Sequence, residues 1–396
     1  MAMPVKLNLF VDKACNRIVY AESDEHFLDI LLSFLTHPLG SILRLTKQSF
    51  GSMNNLLESV ESLDNVCFNS EACRSMLLCP SNSASHLLSS LPINYDNMIK
   101  FMISDDLFVS KFSVESAIEQ LSKLDIKQRS CLESVNVNIT PEKIVELLKR
   151  LLVSDTPLTD VFLGIHEEKD NLPVDIQPPL RPKCDETETP TESARKITLK
   201  LHVKEDEETA FFAEADNDFA DLLFGFLTYP MGAVIKKLGG HSGIRCMDNL
   251  YNSVEALKTA NCFNNNGLIG KLLDQKLPPF FDAENQLIKL DEETQTRRQL
   301  NPAIPRRGFK DDPSTGGGYL RISEYVVTDN LVIRQPSSDM ILTGILRKDD
   351  AGKGIDSLKG GIHVKNVEIG EHEALALLHA SITSENVLTD ALLGVE

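Results

Sequence analysis

Residues Leu7–Gly40 read LNLFVDKACNRIVYAESDEHFLDILLSFLTHPLG, and residues Leu199–Gly232 read LKLHVKEDEETAFFAEADNDFADLLFGFLTYPMG. Laid over each other without a gap, about fourteen of the thirty-four positions are identical, among them Asp29 over Asp221 and Phe34-Leu35-Thr36 over Phe226-Leu227-Thr228. Pro38 and Gly40 fall over Pro230 and Gly232. The correspondence resumes three times further on. MNNLLESVESL from Met53 matches MDNLYNSVEAL from Met247, and FMISDDLFV from Phe101 matches YVVTDNLVI from Tyr325. ITPEKIVELLKRLLVSDTPLTDVFLGI from Ile139 matches IGEHEALALLHASITSENVLTDALLGV from Ile369. The blocks keep one order on both sides, so the chain is a two-copy duplication; a solenoid would repeat every ~20–50 residues.

The patterns inside each copy mix two periods. Leu7, Leu9 and Val11 alternate with polar neighbours, and Ile18 and Tyr20 resume after Ala14-Cys15-Asn16-Arg17, which reads as a hairpin with one buried face. Leu199, Leu201, Val203 and Phe211-Phe212 repeat it around a charged turn. Next, Ser23 is the expected N-cap of a helix whose apolar face is Phe27, Ile30, Leu31, Phe34 and Leu35. Pro38 is expected to end it, with Gly40 free to take a positive φ. Ser104-Asp105-Asp106 and Thr328-Asp329-Asn330 read as turns between strands, because Asp and Asn tolerate left-handed geometry. A helix over Ser113–Leu124, a strand through Val135, Val137 and Ile139, and a Thr140-capped helix starting at Pro141 complete the unit.

The fold class is therefore α+β, a tandem duplication of a mixed hairpin/helix unit with two similar halves. The expected organisation is a first repeat at 1–165, a Pro- and acid-rich linker at 166–196, and a second repeat at 197–396 with a long loop at about 276–318. Each half has its own caps and apolar faces, so each is expected to fold alone on an extended, protease-sensitive tether.

Composition narrows the function classes. The 396 residues carry 58 acids against 40 Lys and Arg, a formal charge of −18, which argues against binding the phosphate backbone of nucleic acid. No run approaches the ~18 apolar residues of a membrane span, and the opening residues lack the apolar core of a signal peptide. The expected location is the cytoplasm, extending to the nucleus. Eight cysteines contain no C-x-x-C pair; Cys67, Cys73 and Cys79, spaced six and six, do not suit zinc, whose paired ligands sit ~2–4 residues apart. Ordinary reduced thiols are the expectation.

Catalytic motifs fail on inspection. Arg347–Gly354 resembles a Walker A loop but lacks its first glycine and its Ser or Thr. Gly239-Gly240-His241-Ser242-Gly243 reads as a helix-ending turn, and His372 and His379, seven apart on one helix, lack the i, i+4 spacing of metal ligands. Asp105-Asp106 could pass for paired catalytic carboxylates, yet Asn330 replaces one of them in the second copy. The Thr36-x-Pro-x-Gly segment needs nothing beyond a helix stop, with a binding loop as the alternative.

The repeated blocks resemble a plant family known as a domain of unknown function, DUF674. The residues that carry the likeness are FLTHPLG and FLTYPMG, NLLESVESL and NLYNSVEAL, MISDDL and VVTDNL, and the SDTPLTDVFL and SENVLTDALL endings. The resemblance implies no assigned activity. Members carry a cysteine-rich, zinc-ribbon-like insert before the second hairpin of the first copy; here Cys79 is the only cysteine of that region, so no metal site is carried over. The expected function is a non-enzymatic protein-binding module with two repeated surfaces and an unknown protein partner, binding neither nucleic acid nor membrane. The alternative is an enzyme or small-molecule binder with its site between the repeats. No catalytic, cofactor-binding or metal residue is assigned, and no cofactor.

Overall fold

In the computed structural model, the described residues are 5–82, 100–126, 131–165, 195–204, 208–263, 266–278, 286–292, 318–321, 324–337 and 361–394. The 166–194 stretch of the sequence-read linker, most of the 276–318 loop and the Walker-like Arg347–Gly354 lie outside them.

The alternating residues form strands as expected. In the first half β1 (Lys6–Asp12), β2 (Arg17–Ser23), β3 (Phe101–Ser104), β4 (Val109–Lys111) and β5 (Leu132–Asn138) make an antiparallel sheet in the order β4-β3-β2-β1-β5. In the second half β6 (Ile197–Lys204), β7 (Thr209–Ala215), β8 (Tyr325–Thr328), β9 (Ile333–Arg334) and β10 (Ile362–Ile369) give β10-β6-β7-β8-β9, the same order position for position. Even the irregularities agree: the register slips between Phe10 and Val11, and between the aligned His202 and Val203. Leu7, Leu9 and Ala21, like Leu199, Leu201 and Ala213, point into the core and are essentially fully buried.

The helices of the first half are α1 (Glu25–Phe34), α2 (Leu39–Thr46), α3 (Met53–Ser62), α4 (Glu71–Leu78), α5 (Val114–Lys123), α6 (Pro141–Arg150) and α7 (Pro157–Leu163). The second half adds α8 (Asn217–Gly225), α9 (Met231–Lys237), α10 (Arg245–Thr259), α11 (Asn266–Leu273), α12 (Glu371–Thr383) and α13 (Val387–Leu392). Thr140 caps α6 with Pro141 at its first position, as expected.

Four local expectations are corrected. Asp24, not Ser23, caps α1: its carboxylate accepts the His26 N–H at 3.1 Å, as Asp216 accepts that of Phe219 in α8. Pro38 opens α2 rather than merely closing α1, because its fixed φ suits the position before a helix and it has no N–H to lose. Gly40 is helical; a Cβ there would stand 3.0 Å from the Leu227 carbonyl oxygen of the other half, so it is close approach that selects glycine. In the turn after β3 the positive φ belongs to Leu107 (62°), and to Leu331 (61°) after β8, not to the Asp or Asn. Both leucines are fully buried, and burial holds them in a region that non-glycine residues rarely visit.

The halves share their interior. One continuous apolar core runs from Leu7 to Ala391 and includes both sheets' inner faces. Helices cross over: α3 of the first half packs on β9 and α8 of the second, while α10 of the second packs on β4 and α1 of the first. A second, smaller cluster lies on the outer face of the first sheet, where Val19, Tyr20 and Met102 are covered by α5 through Ala117 and Leu121.

Candidate functional site

The duplicated motifs converge on the seam between the halves. Pro38 and Pro230 face each other as an isolated antiparallel bridge. The Leu39 N–H donates to Tyr229 O and the Met231 N–H to His37 O, both at 3.0 Å. Thr36 and Thr228 fold back onto Ser33 O and Gly225 O, each at 2.7 Å, and close the preceding helix. Burial pushes the His37 imidazole down from its ordinary pKa. The Thr-x-Pro-x-Gly segment is thus the join of a pseudo-two-fold body, which accounts for its double occurrence.

Around it the contacts come in reciprocal pairs. Ser253 Oγ of α10 accepts the Val109 N–H of β4 at 2.7 Å, and Ser59 Oγ of α3 accepts the Ile333 N–H of β9 at 2.9 Å. Asn249 donates to Asp106 O at 2.9 Å, and Asn55 to Asn330 O at 2.7 Å. Ser52 Oγ donates to Ser384 O at 2.9 Å, and Cys246 Sγ, in the aligned position, to Ser154 O at 3.2 Å. Sequence reading found NLLESVESL and NLYNSVEAL, but their role depends on which sheet the helix meets.

The acidic turns are ties as well. Asp105 accepts the Thr159 N–H at 2.9 Å and its hydroxyl at 2.5 Å, while Thr159 Oγ1 accepts the Ile18 N–H at 2.8 Å. Asp329 does the same with Thr389, whose oxygen accepts the Ala210 N–H. Burial raises the Asp105 carboxyl to about 6 despite these hydrogen bonds. Asp106 lies 3.3 Å from the Arg245 guanidinium and accepts the Ser104 hydroxyl. The two aspartates therefore face different partners and do not form a facing pair. The Gly239–Gly243 loop has positive φ at its three glycines and is pinned by Asp248, which accepts the Ser242 N–H and hydroxyl; burial raises that carboxyl. His372 is half-buried beside Glu373, and His379 is half-buried as well, its partial burial lowering its pKa. Among the described residues no three His, Cys, Asp or Glu side chains are grouped to hold a metal, and the described cysteines are free thiols.

A grip on the 318–321 segment went unread in the sequence. Asp221 accepts the Tyr319 and Leu320 N–H groups at 3.0 Å from one side. From the other half, Asn69 donates its side-chain amide to Gly318 O (2.7 Å) and Leu320 O (3.0 Å). The repeat of Cys67-Phe68-Asn69 as Cys262-Phe263-Asn264 was the available signal.

Asp29, aligned with Asp221, behaves differently. One of its oxygens, Oδ1, is buried without a hydrogen-bond partner. Burial raises its carboxyl to about 7, against the lowering effect of His26 and with help from Glu25 and Asp24. It titrates where a general acid or base works. Nothing in its helix position announced this, since an aspartate on a half-buried face is ordinary until its neighbours are known.

Among the described residues no helix is long and apolar enough to cross a membrane. The family model described as "Protein of unknown function (DUF674)" matches residues 2–100 and 95–351. No curated protein and no solved structure matches the chain at a significant level. The duplicated blocks and the family match agree, and the chain belongs to the DUF674 family.

Proposed function

We propose that the chain is a non-catalytic protein-binding module of the plant cytoplasm or nucleus, offering a partner two related surfaces. One observation carries the reading: most of the buried polar residues that both copies share serve to hold the fold. Asp105 and Asp329, Thr159 and Thr389, Ser59 and Ser253, Asn55 and Asn249 all serve backbone or turn groups of the body itself. What repeats is a frame, and the surfaces it carries are held at a fixed separation by the common core. Two copies of one partner can then sit on the body at once, one on each surface.

The test is affinity capture with the full chain from its source tissue, followed by titration of the captured protein. Two partner copies per chain support the proposal, and a single copy or no protein partner opposes it. A second reading, a small-molecule site, is favoured by Asp29 alone. It predicts a co-purifying metabolite that is lost in Asp29→Asn.

A further inference from the structure

The outer faces of the two sheets carry the same group of side chains in two states of burial. On the first sheet Phe10 and Tyr20 pair across β1 and β2 with their rings stacked 4.5 Å apart, and Met102 of β3 joins them. The helix α5 covers this group with Ala117 and Leu121, one turn apart, and Leu132 of β5 packs against it. Tyr20 and Met102 are each buried as a result. On the second sheet His202 and Phe212 pair across β6 and β7 with rings stacked 4.2 Å apart. Val326 of β8 stands at the position of Met102, and Ile362 of β10 at that of Leu132. Here His202, Phe212 and Val326 are only half-buried, and Ile362 is 38% exposed. Among the described residues no helix lies between β9 and β10 in the chain, where the counterpart of α5 would stand.

We propose that the chain's own residues 338–346, SDMILTGIL, which lie outside the described residues, dock on this second face as α5 does on the first. The occupant follows from the duplication. Carried on without a gap from the aligned turns, the sequence places Ser337 over Ser113, the N-cap of α5, and Ile341 and Ile345 over Ala117 and Leu121. β4 and β9 are the same edge of their sheets, so the segment starts from the same place with the same reach. The volumes compensate: the face is trimmed, with His202 for Phe10 and Val326 for Met102, and the segment is enlarged, with Ile341 for Ala117. As a helix the segment is weak by itself. Ile341, Thr343 and Ile345 are β-branched, and Gly344 replaces Gln120, whose amide donates to Val19 O at 3.3 Å. Its order therefore depends on the apolar face beneath it. This goes beyond the binding-module reading and does not rest on it; a partner that uses this face has to displace residues 338–346.

The test is hydrogen–deuterium exchange of the full chain, read by mass spectrometry on peptides covering 338–346 and, as an internal check, the β6–β7 hairpin. Exchange in 338–346 at least ~100-fold slower than in the unfolded chain is expected. Phe212→Asp puts a charge on the face and Ile345→Asp puts one on the segment. Each should speed exchange there at least ~10-fold while the hairpin stays protected. Where Phe212→Asp disturbs the hairpin, Val326→Asp on the next strand reads the same face. Thr343→Glu should change nothing, because the position aligns with Glu119 of α5, whose side chain is 65% exposed. Free exchange at 338–346 in the wild type, protection that survives an aspartate on the face or on the segment, or equal loss in Thr343→Glu overturns the proposal. Free exchange together with a light-scattering mass of twice 44.0 kDa would assign the face to a second copy instead.

Discussion

Replacing Ser253 by alanine removes the only hydroxyl that serves the Val109 N–H of β4, a donor that belongs to the opposite half. Ser253 is fully buried, so no water takes its place. An unsatisfied buried backbone donor costs about 1–3 kcal/mol, whereas the Ser253-to-Asn249 carbonyl bond is an additional one on a helical carbonyl and is lost cheaply. Alanine's better helix propensity returns a few tenths. Ser59→Ala makes the reciprocal change at Ile333, where the serine is 2% exposed. The two sites share no partner, so the double variant should lose about 2–6 kcal/mol, a large share of the ~5–15 kcal/mol of a typical native state. Urea unfolding followed by circular dichroism and tyrosine fluorescence is the assay. Because each serine lies in one half and its strand in the other, either variant should move a single shared transition to lower urea with the slope unchanged. Two resolved transitions, with Ser253→Ala shifting only one, would refute the common core. So would losses below ~0.5 kcal/mol for both variants.

Gly51→Ala should destabilise by more than ~2 kcal/mol, since φ is +50° there and a Cβ would press on the Ser381 and Ile382 backbone; thermal melts check this. Thr159→Val removes the hydroxyl that Asp105 accepts, leaving it the backbone N–H of residue 159, and takes the acceptor from the Ile18 N–H; Thr389→Val does the same to Asp329 and the Ala210 N–H. Each should cost about 2–4 kcal/mol in urea titrations. Asp29 binds its proton more tightly in the folded state, with a pKa of about 7 against 3.8. Its contribution to stability is therefore fully present below pH ~4 and is lost as pH rises through ~7. Discounted for partial contact with water, the loss is about 1–2 kcal/mol, and Asp29→Asn should flatten that limb of the stability–pH curve. A curve identical to that of the wild type would show that Asp29 is not the group responsible.

Much was decided by the order of the residues alone. The duplication, the strands of Leu7–Ser23 and Ile197–Ala215, the amphipathic helices and the Thr140–Pro141 start all follow from local periodicity and capping, which depend on neighbours a few residues away. The repeated order of blocks even predicts that the two sheets share a topology. What the sequence could not express is which copy each face meets. Ser59 and Ser253 look alike in either arrangement, and only the tertiary structure shows that each serves the other half's sheet. The same holds for Gly40, chosen by the Leu227 backbone across the seam, and for Leu107, whose left-handed backbone is maintained by burial against local preference. Asp29 and Asp221 are one position in the alignment, yet Asp221 grips two backbone N–H groups while Asp29 keeps a buried oxygen unpartnered. Periodicity is a property of the chain and was legible. Burial, desolvation and partnership are properties of what the chain folds against, and they appear only in three dimensions.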